Sequence, residues 1–413
     1  MKVLHINASD TSGGAARAAY RLHKELLKTG IDSQMLVQKK LSDDWTIKAS
    51  NKYFEKLINI IRPVIDQSIA KLYKNKIKTL FSPAWIGNKR ILQEINKINP
   101  DIVHLHWING GMIKIEDLVK IQAPIVWSLH DDFAYTGGCH IKWKCEKYKE
   151  KCGTCEVLKS GSEYDLSRWV WKRKDKTYKK LHRLTIIGVS KWILKCSQES
   201  SLLKDKKHVL IANPINTEIF KYFSKRKSRE LWNLPKDKKL ILFGANSATQ
   251  DINKGFQQLK AALNILDMQE IEFVVFGSSE PQDIPDFKYQ IHYMGKLHDN
   301  VSLVTLYNAV DVMIVPSIQE AFGQTASEAM SCFTPVVAYR TSGLLDIIDH
   351  KINGYLAELY SSEDLARGIK WILNHDSYKE LCQNARKKIL KKFDSKIIVE
   401  QYIQLYKETL HGI

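Results

Sequence analysis

The chain has 413 residues, 63 Lys and Arg against 45 Asp and Glu, and a formal net charge of +18 at neutral pH. With 44% apolar residues, 26% charged residues, and only 20 Gly and 10 Pro, it is neither a collagen, a low-complexity scaffold nor a mostly disordered chain. The length suits two large domains or three small ones. The positive excess asks for an anionic partner: nucleic acid, a membrane surface or a phosphorylated substrate.

The N-terminus, Met1-Lys2-Val3-Leu4-His5, breaks its apolar run almost at once, so no secretory leader is expected. No stretch approaches the apolar length needed to span a bilayer. The seven cysteines are expected to be reduced or metal-bound.

Short Val/Ile/Leu-rich runs alternate with longer helix-like segments from end to end. Strands are predicted over 2–7, 101–107, 125–130 and 184–189 in the first half. In the second half they are predicted over 208–212, 239–243, 271–276, 310–315 and 335–338. Helices are predicted over 15–27, 256–266 and 362–374. This βαβα pattern, met twice, gives an α/β chain of two doubly wound parallel sheets. A boundary near 207–225 divides it into 1–210, 211–394 and a final helical stretch, 395–413. Open parallel sheets bind ligands beyond the carboxyl ends of their strands, and two of them suggest a cleft between domains.

Four strand ends carry candidate chemistry. After the first strand, Ser12-Gly13-Gly14-Ala15 opens a helix; its glycines would let backbone N–H groups approach an anion, or simply make a tight turn. After 310–315 comes Glu320-Ala321-Phe322-Gly323-Gln324-Thr325-Ala326-Ser327-Glu328. There the N–H groups of 322–325 could hold a phosphate, and a carboxylate could pair with vicinal sugar hydroxyls. Thr325 and Glu328 also fit a capping box. Lys254-Gly255 could neutralise a diphosphate or be an ordinary surface lysine. His130 ends its strand as a candidate polar catalyst or a structural histidine. Asp131-Asp132, beside it, lacks the third carboxylate a metal site would want.

Together these residues resemble glycosyltransferase family 4, of the bacterial surface-polysaccharide type. The resemblance rests on Glu320-x7-Glu328 with Phe322-Gly323 inside it, on 329–337 after it, and on Ser342-Gly343-Leu344 and Asn353-Gly354-Tyr355-Leu356. It implies the GT-B fold of two Rossmann-like domains, a nucleotide-diphosphate sugar donor, a glycan acceptor that is lipid-linked in some such enzymes, retention of configuration and no catalytic metal. By the same resemblance Glu320 faces hydroxyls of the transferred sugar and Glu328 the ribose. Backbone N–H groups at Phe322, Gly323 and Gln324, and at Gly13 and Gly14 across the cleft, hold the sugar and diphosphate. Lys254 balances phosphate charge and His130 contacts the sugar near the reacting carbon. The terminal helix would cross back onto the first domain. One departure stands out: the family places Arg or Lys directly after the glycine matching Gly244, where this chain has Ala245-Asn246-Ser247.

Cys139, Cys145, Cys152 and Cys155 are spaced C-x5-C-x6-C-x2-C. The set suits structural tetrahedral zinc, with His140 as a spare ligand, although the longer intervals also leave room for two disulfides or free thiols. Two segments are basic and apolar at once. One is 53–80; the other is 168–183, with Trp169 and Trp171 among its cations. They read as faces for an anionic membrane surface or as ordinary solvated helices. No helix-turn-helix, RNA-recognition or zinc-finger pattern supports specific nucleic-acid binding. The expected protein is a cytoplasmic glycosyltransferase, peripherally bound at the inner face of the cell membrane and acting in surface polysaccharide synthesis. The competing readings are a sugar-nucleotide epimerase of the same fold and a non-enzymatic nucleic-acid-binding protein.

Overall fold

The computed structural model describes residues 1–49, 53–244, 251–278 and 288–412. Two compact units emerge: Met1–Pro214 with Ile398–Ile413, and Ile215–Ile397. No helix among the described residues is long and apolar enough to cross a membrane.

The first unit holds β1 (Lys2–Ser9), β2 (Asp32–Lys39), β3 (Ile47–Lys48), β4 (Ile102–Leu105), β5 (Ile125–Leu129), β6 (Leu184–Gly188) and β7 (Lys207–Leu210). They form one sheet in the order β3-β2-β1-β4-β5-β6-β7, every pair parallel. β4, β5 and β6 are buried along their whole length, which is why they read as unbroken apolar runs. The Gly14–Lys28 helix lays Leu22 and Leu26 on Val3, Ile102 and Val126. Burying each leucine contributes about 1.5–3 kcal/mol.

The last helix, Ser395–His411, supplies Ile398, Val399, Tyr402, Leu405 and Tyr406 to this same core. Their i, i+1, i+4, i+7, i+8 spacing is the apolar stripe of an amphipathic helix. Two of its hydroxyls reach buried polar groups: Tyr406 Oη lies 2.7 Å from His104 Nδ1, and Tyr402 Oη 3.2 Å from Ser128 Oγ.

The second unit holds β8 (Lys239–Gly244), β9 (Ile271–Phe276), β10 (Ile291–Tyr293), β11 (Val312–Val315), β12 (Val336–Tyr339) and β13 (Gly354–Ala357). Its parallel sheet runs β10-β9-β8-β11-β12-β13. In both sheets the strand order reverses beside the first strand, between β1 and β4 and between β8 and β11. Such switch points are where an open α/β sheet leaves a crevice.

The structure moves one predicted strand. The 208–212 run belongs to the first sheet, as edge strand β7 paired with β6. Its partner is fixed by long-range register, which a local apolar run does not reveal. Sequence reading also missed β2, β3, β10 and β13. β2 has only a three-residue apolar run, Met35-Leu36-Val37, between polar residues, and β13 opens with a glycine.

Candidate functional site

At the switch point of the first unit, residues following β1, β4 and β5 enclose a cavity of about 520 Å³. Ser12, Gly13, Gly14, Trp107, Asn109 and His130 are among its walls. Gly13 caps the Gly14–Lys28 helix without any side-chain hydrogen bond, and no acidic residue stands in the first turn. The positive end of the helix therefore faces the cavity with no side-chain cap from Gly13.

His130 is the outer member of a buried imidazole chain. His5 Nδ1 lies 3.0 Å from His106 Nε2, and His106 Nδ1 lies 3.0 Å from His130 Nε2. Burial depresses all three rings, His130 to about 4 despite the opposing charge of Asp131, so the chain is neutral near pH 7. The far end, His5 Nε2, is buried without a partner. A bare lone pair there costs less than an orphaned N–H. The protons therefore sit on His5 Nδ1, His106 Nδ1 and His130 Nδ1, each ring donating outward to the next. His130 Nδ1 has no protein partner among the described residues, which makes the residue a fixed N–H donor at the cavity wall. The nearby trio His5, His104 and His106 comes within metal-ligating distance. However, both nitrogens of His104 are taken by Tyr406 and Ser128, and both of His106 by its neighbours in the chain.

Asp131 is held rather than free. It accepts from Trp107 Nε1 at 2.8 Å and from the Phe133 N–H at 2.9 Å, and it lies 2.6 Å from His140 Nδ1. The other nitrogen of His140 bonds Ser82 Oγ, so His140 is not a spare metal ligand. Asp132 is bound by the Tyr135 hydroxyl and the Lys142 N–H. The four cysteines surround a separate small void in the same unit.

At the switch point of the second unit, two loops are laced together. The Asn253 side chain donates to Gln319 O at 2.8 Å and accepts from the Gln319 N–H, while the Ile318 N–H donates to Asn253 O at 2.9 Å. Gly255 makes this possible: its φ is +69°, and a Cβ there would meet Pro316 O at 2.0 Å. The lacing brings Lys254 Nζ to 2.6 Å from Glu320 Oε1. Burial opposes the ammonium charge, but the Glu320 carboxylate outweighs it and holds Lys254 above its ordinary range. Glu320 is further fixed through its backbone, its N–H to Ser342 Oγ at 2.8 Å and its carbonyl to the Gly343 N–H at 2.9 Å.

The helix Gln324–Ser331 then starts from Gly323, whose φ of +104° only glycine adopts readily, with no side-chain cap and no acid in its first turn. The capping-box reading of Thr325 and Glu328 does not hold, because Thr325 lies inside the helix. Glu328 is buried and accepts from the Tyr307 hydroxyl at 2.9 Å. Phe322 is a core anchor, its ring against Phe393 at 5.4 Å, so what it can offer a ligand is its backbone. Positions 245–247, the departure after Gly244, lie outside the described residues.

Sequence reasoning singled out His130 and missed His5, His106 and the Asn253–Gln319 lacing. A signal for the histidines existed. Polar residues stand in otherwise apolar strands, and β1 and β4 pair with His5 opposite His104.

Residues 12–219 match the family model described as Glycosyltransferase Family 4, and residues 224–390 match that described as Glycosyl transferases group 1. An uncharacterized glycosyltransferase of Methanocaldococcus jannaschii is 27% identical over 337 residues, which cover 76% of this chain and 84% of that protein. Among solved structures, sucrose-phosphate synthase of Thermosynechococcus elongatus is similar with a TM-score of 0.72 and 18% identity over the whole of both chains. Anabaena HepE in complex with UDP and glucose is similar with a TM-score of 0.65 and 16% identity, covering 98% of this chain and 99% of that one. At these identities the structural likeness establishes the fold. With two doubly wound parallel-sheet units of the GT-B kind and a family match over its first half, the chain belongs to glycosyltransferase family 4.

Proposed function

We propose that this glycosyltransferase moves a sugar from a nucleotide-diphosphate donor to a glycan acceptor, with retention of configuration and without a catalytic metal, in surface polysaccharide synthesis. The observation that carries the donor reading is the laced pair of loops in the second unit. It sets one cation, one carboxylate and an uncapped helix start at a sheet switch point. Departure of a diphosphate from the anomeric carbon builds negative charge on the leaving oxygen and positive charge on the sugar. Lys254 and the N–H groups of Phe322, Gly323 and Gln324 answer the first without reorganising. Glu320 accepts from hydroxyls of the sugar, and Glu328 from those of the ribose. In the first unit, His130 offers its Nδ1–H to a substrate oxygen, and the Gly13-Gly14 turn offers amides to an anionic group. HepE binds UDP and glucose, which makes uridine diphosphate sugars the first class to try.

The acceptor is lipid-linked in this reading, and the enzyme works at the inner, cytoplasmic face of an anionic membrane. Support comes from the Tyr53–Lys71 helix. Asn59, Pro63 and Gln67, spaced i, i+4, i+8, line the cavity. Leu57, Ile60, Ile61 and Val64 sit about 110° around the axis on average, and they are exposed, Ile60 by 69% and Val64 by 55%. Exposed Lys71, Lys74 and Lys78 follow. An apolar face with cations at its end suits the boundary of an anionic bilayer. The other basic helix, Leu166–Tyr178, gives no such face: Trp171 and Lys174 are buried, and Arg173 is paired with Glu116. Co-sedimentation with vesicles containing anionic lipid, lost in Ile60→Asp/Val64→Asp, is expected; no co-sedimentation of the unaltered chain with such vesicles would remove the membrane from the proposal, and equal binding to purely zwitterionic vesicles would remove its anionic character.

A thermal-shift screen against sugar nucleotides tests the donor reading. A ligand at about 100 times its Kd stabilises by about 2.7 kcal/mol, so at least one nucleotide sugar should raise the transition clearly. Glu328→Ala should weaken that ligand about tenfold, the loss of one charge-assisted hydrogen-bonding group. Unchanged affinity would take Glu328 out of the donor site. Isomerisation of the bound sugar nucleotide with no acceptor present would favour the epimerase instead.

A further inference from the structure

The loop after His130 carries a feature that glycosyl transfer does not use. Cys139, Cys145, Cys152 and Cys155 all line one void of about 20 Å³. That space is on the scale of a single ion or water and far too small for an organic ligand. Cys139 Sγ and Cys155 Sγ stand 3.8 Å apart. Two sulfurs each about 2.3 Å from a tetrahedral zinc ion would be separated by about this distance.

Backbone N–H groups face three of the sulfurs. The Gly137 N–H donates to Cys152 Sγ at 3.1 Å, the Lys147 N–H to Cys145, and the Val157 and Leu158 N–H groups to Cys155. Lys142 and Lys147 also line the void, which suits a centre made dianionic by four thiolates around a divalent cation. Cys152-Gly153-Thr154-Cys155 has the C-x2-C spacing common in zinc sites.

The loop carries little regular secondary structure of its own. Between residues 136 and 165 its one helical element is the turn Lys147–Lys149. Yet it must stay fixed, because His140, next to Cys139, grips Asp131 at 2.6 Å, and the Lys142 N–H grips Asp132 at 2.6 Å. Asp131 adjoins His130 in the cavity wall.

From this geometry we infer that the four cysteines bind one zinc ion, which cross-links the 139–155 loop and thereby braces the wall that carries His130. Each thiol entering the shell gives its proton to solvent, and with four protein ligands no position is left open for substrate. The role is structural, and it stands whether or not the donor reading holds.

Metal analysis of the full chain, purified without added metal or chelator, should find about one zinc per chain. Alkylation of the native protein should spare these four cysteines until a chelator is added. Protein produced in cobalt-supplemented medium should show the intense thiolate-to-cobalt and visible bands of a tetrahedral cobalt centre. Cys145→Ser should lose the metal and melt earlier, while Cys196→Ser and Cys382→Ser, outside the loop, should keep it. If Cys145→Ser does not fold, the cobalt spectrum of the unaltered chain decides. A folded, metal-free chain with all four thiols open to alkylation would overturn the inference, as would mass spectrometry showing the four joined in two disulfides.

Discussion

Replacing Glu320 with glutamine should lower sugar transfer by about 10²–10³-fold, the scale seen when one preorganised electrostatic group is removed from an active site. Nucleotide affinity should stay within about threefold, since Glu328 and the loop amides remain. The substitution is nearly isosteric, and the backbone of residue 320 stays tied to Ser342 and Gly343. What changes is charge. Lys254 loses the carboxylate 2.6 Å away, and the sugar loses an acceptor of two strong hydrogen bonds. Lys254→Met should slow transfer comparably and also weaken the diphosphate, because it removes the cation itself. Release of nucleoside diphosphate from the donor found by thermal shift, followed alongside equilibrium binding, separates the two effects. A Glu320→Gln variant with ordinary turnover would remove Glu320 from the reaction.

Acid should unfold the first unit before the second. His5, His23, His104, His106 and His130 are all held below the ordinary imidazole range, chiefly by burial, with His23 and His130 at about 4. In the unfolded chain each titrates near 6.5. Between about pH 4 and 6.5 the unfolded state therefore binds more protons than the folded one, and stability falls as pH falls. The contribution of these histidines is whole above about pH 6.5. His23 and His130, each lowered to about 4, lose about 2 kcal/mol apiece from pH 7 to pH 5. His5, His104 and His106 are lowered as well and add in the same direction, a large share of the stability of an ordinary domain. Asp66, raised to about 6 by burial, works the other way, but it is one group against five. Asp131, held low mainly by its His140 partner against the opposing effect of burial, adds to the loss only at still lower pH. In the second unit His350 is lowered too, a single ring near the surface. Tryptophan fluorescence and amide exchange across pH 7 to 4.5 should show residues of the first sheet opening first, near pH 5. Equal stability of the first unit at pH 7 and pH 5 would contradict the buried imidazole chain.

What could be read from the sequence was local. A strand end, a Gly323 start and Glu320-x7-Glu328 lie within a dozen residues, and the structure keeps them together. What could not be read depends on residues far apart in the chain. β7 joined the first sheet because its partner is Leu184–Gly188. The imidazole chain needs β1, β4 and β5 in register before His5, His106 and His130 can touch. Trp171 and Lys174, read as part of a basic face, are buried because that side of their helix meets the core, whereas Ile60 and Val64 on the other basic segment are exposed. Thr325 failed as a cap for a different reason: Gly323, two residues earlier, already begins the helix with a conformation that needs no side chain.

Amide hydrogen exchange of the full chain, with and without the nucleotide sugar that raises its melting temperature, tests the central claim most directly. Protection is expected at the amides of 253–255 and 318–328 in the second unit, the loops proposed to receive the diphosphate and sugar. Saturating ligand that leaves those two stretches exchanging at their free rates would contradict the assignment of this loop pair as the donor site.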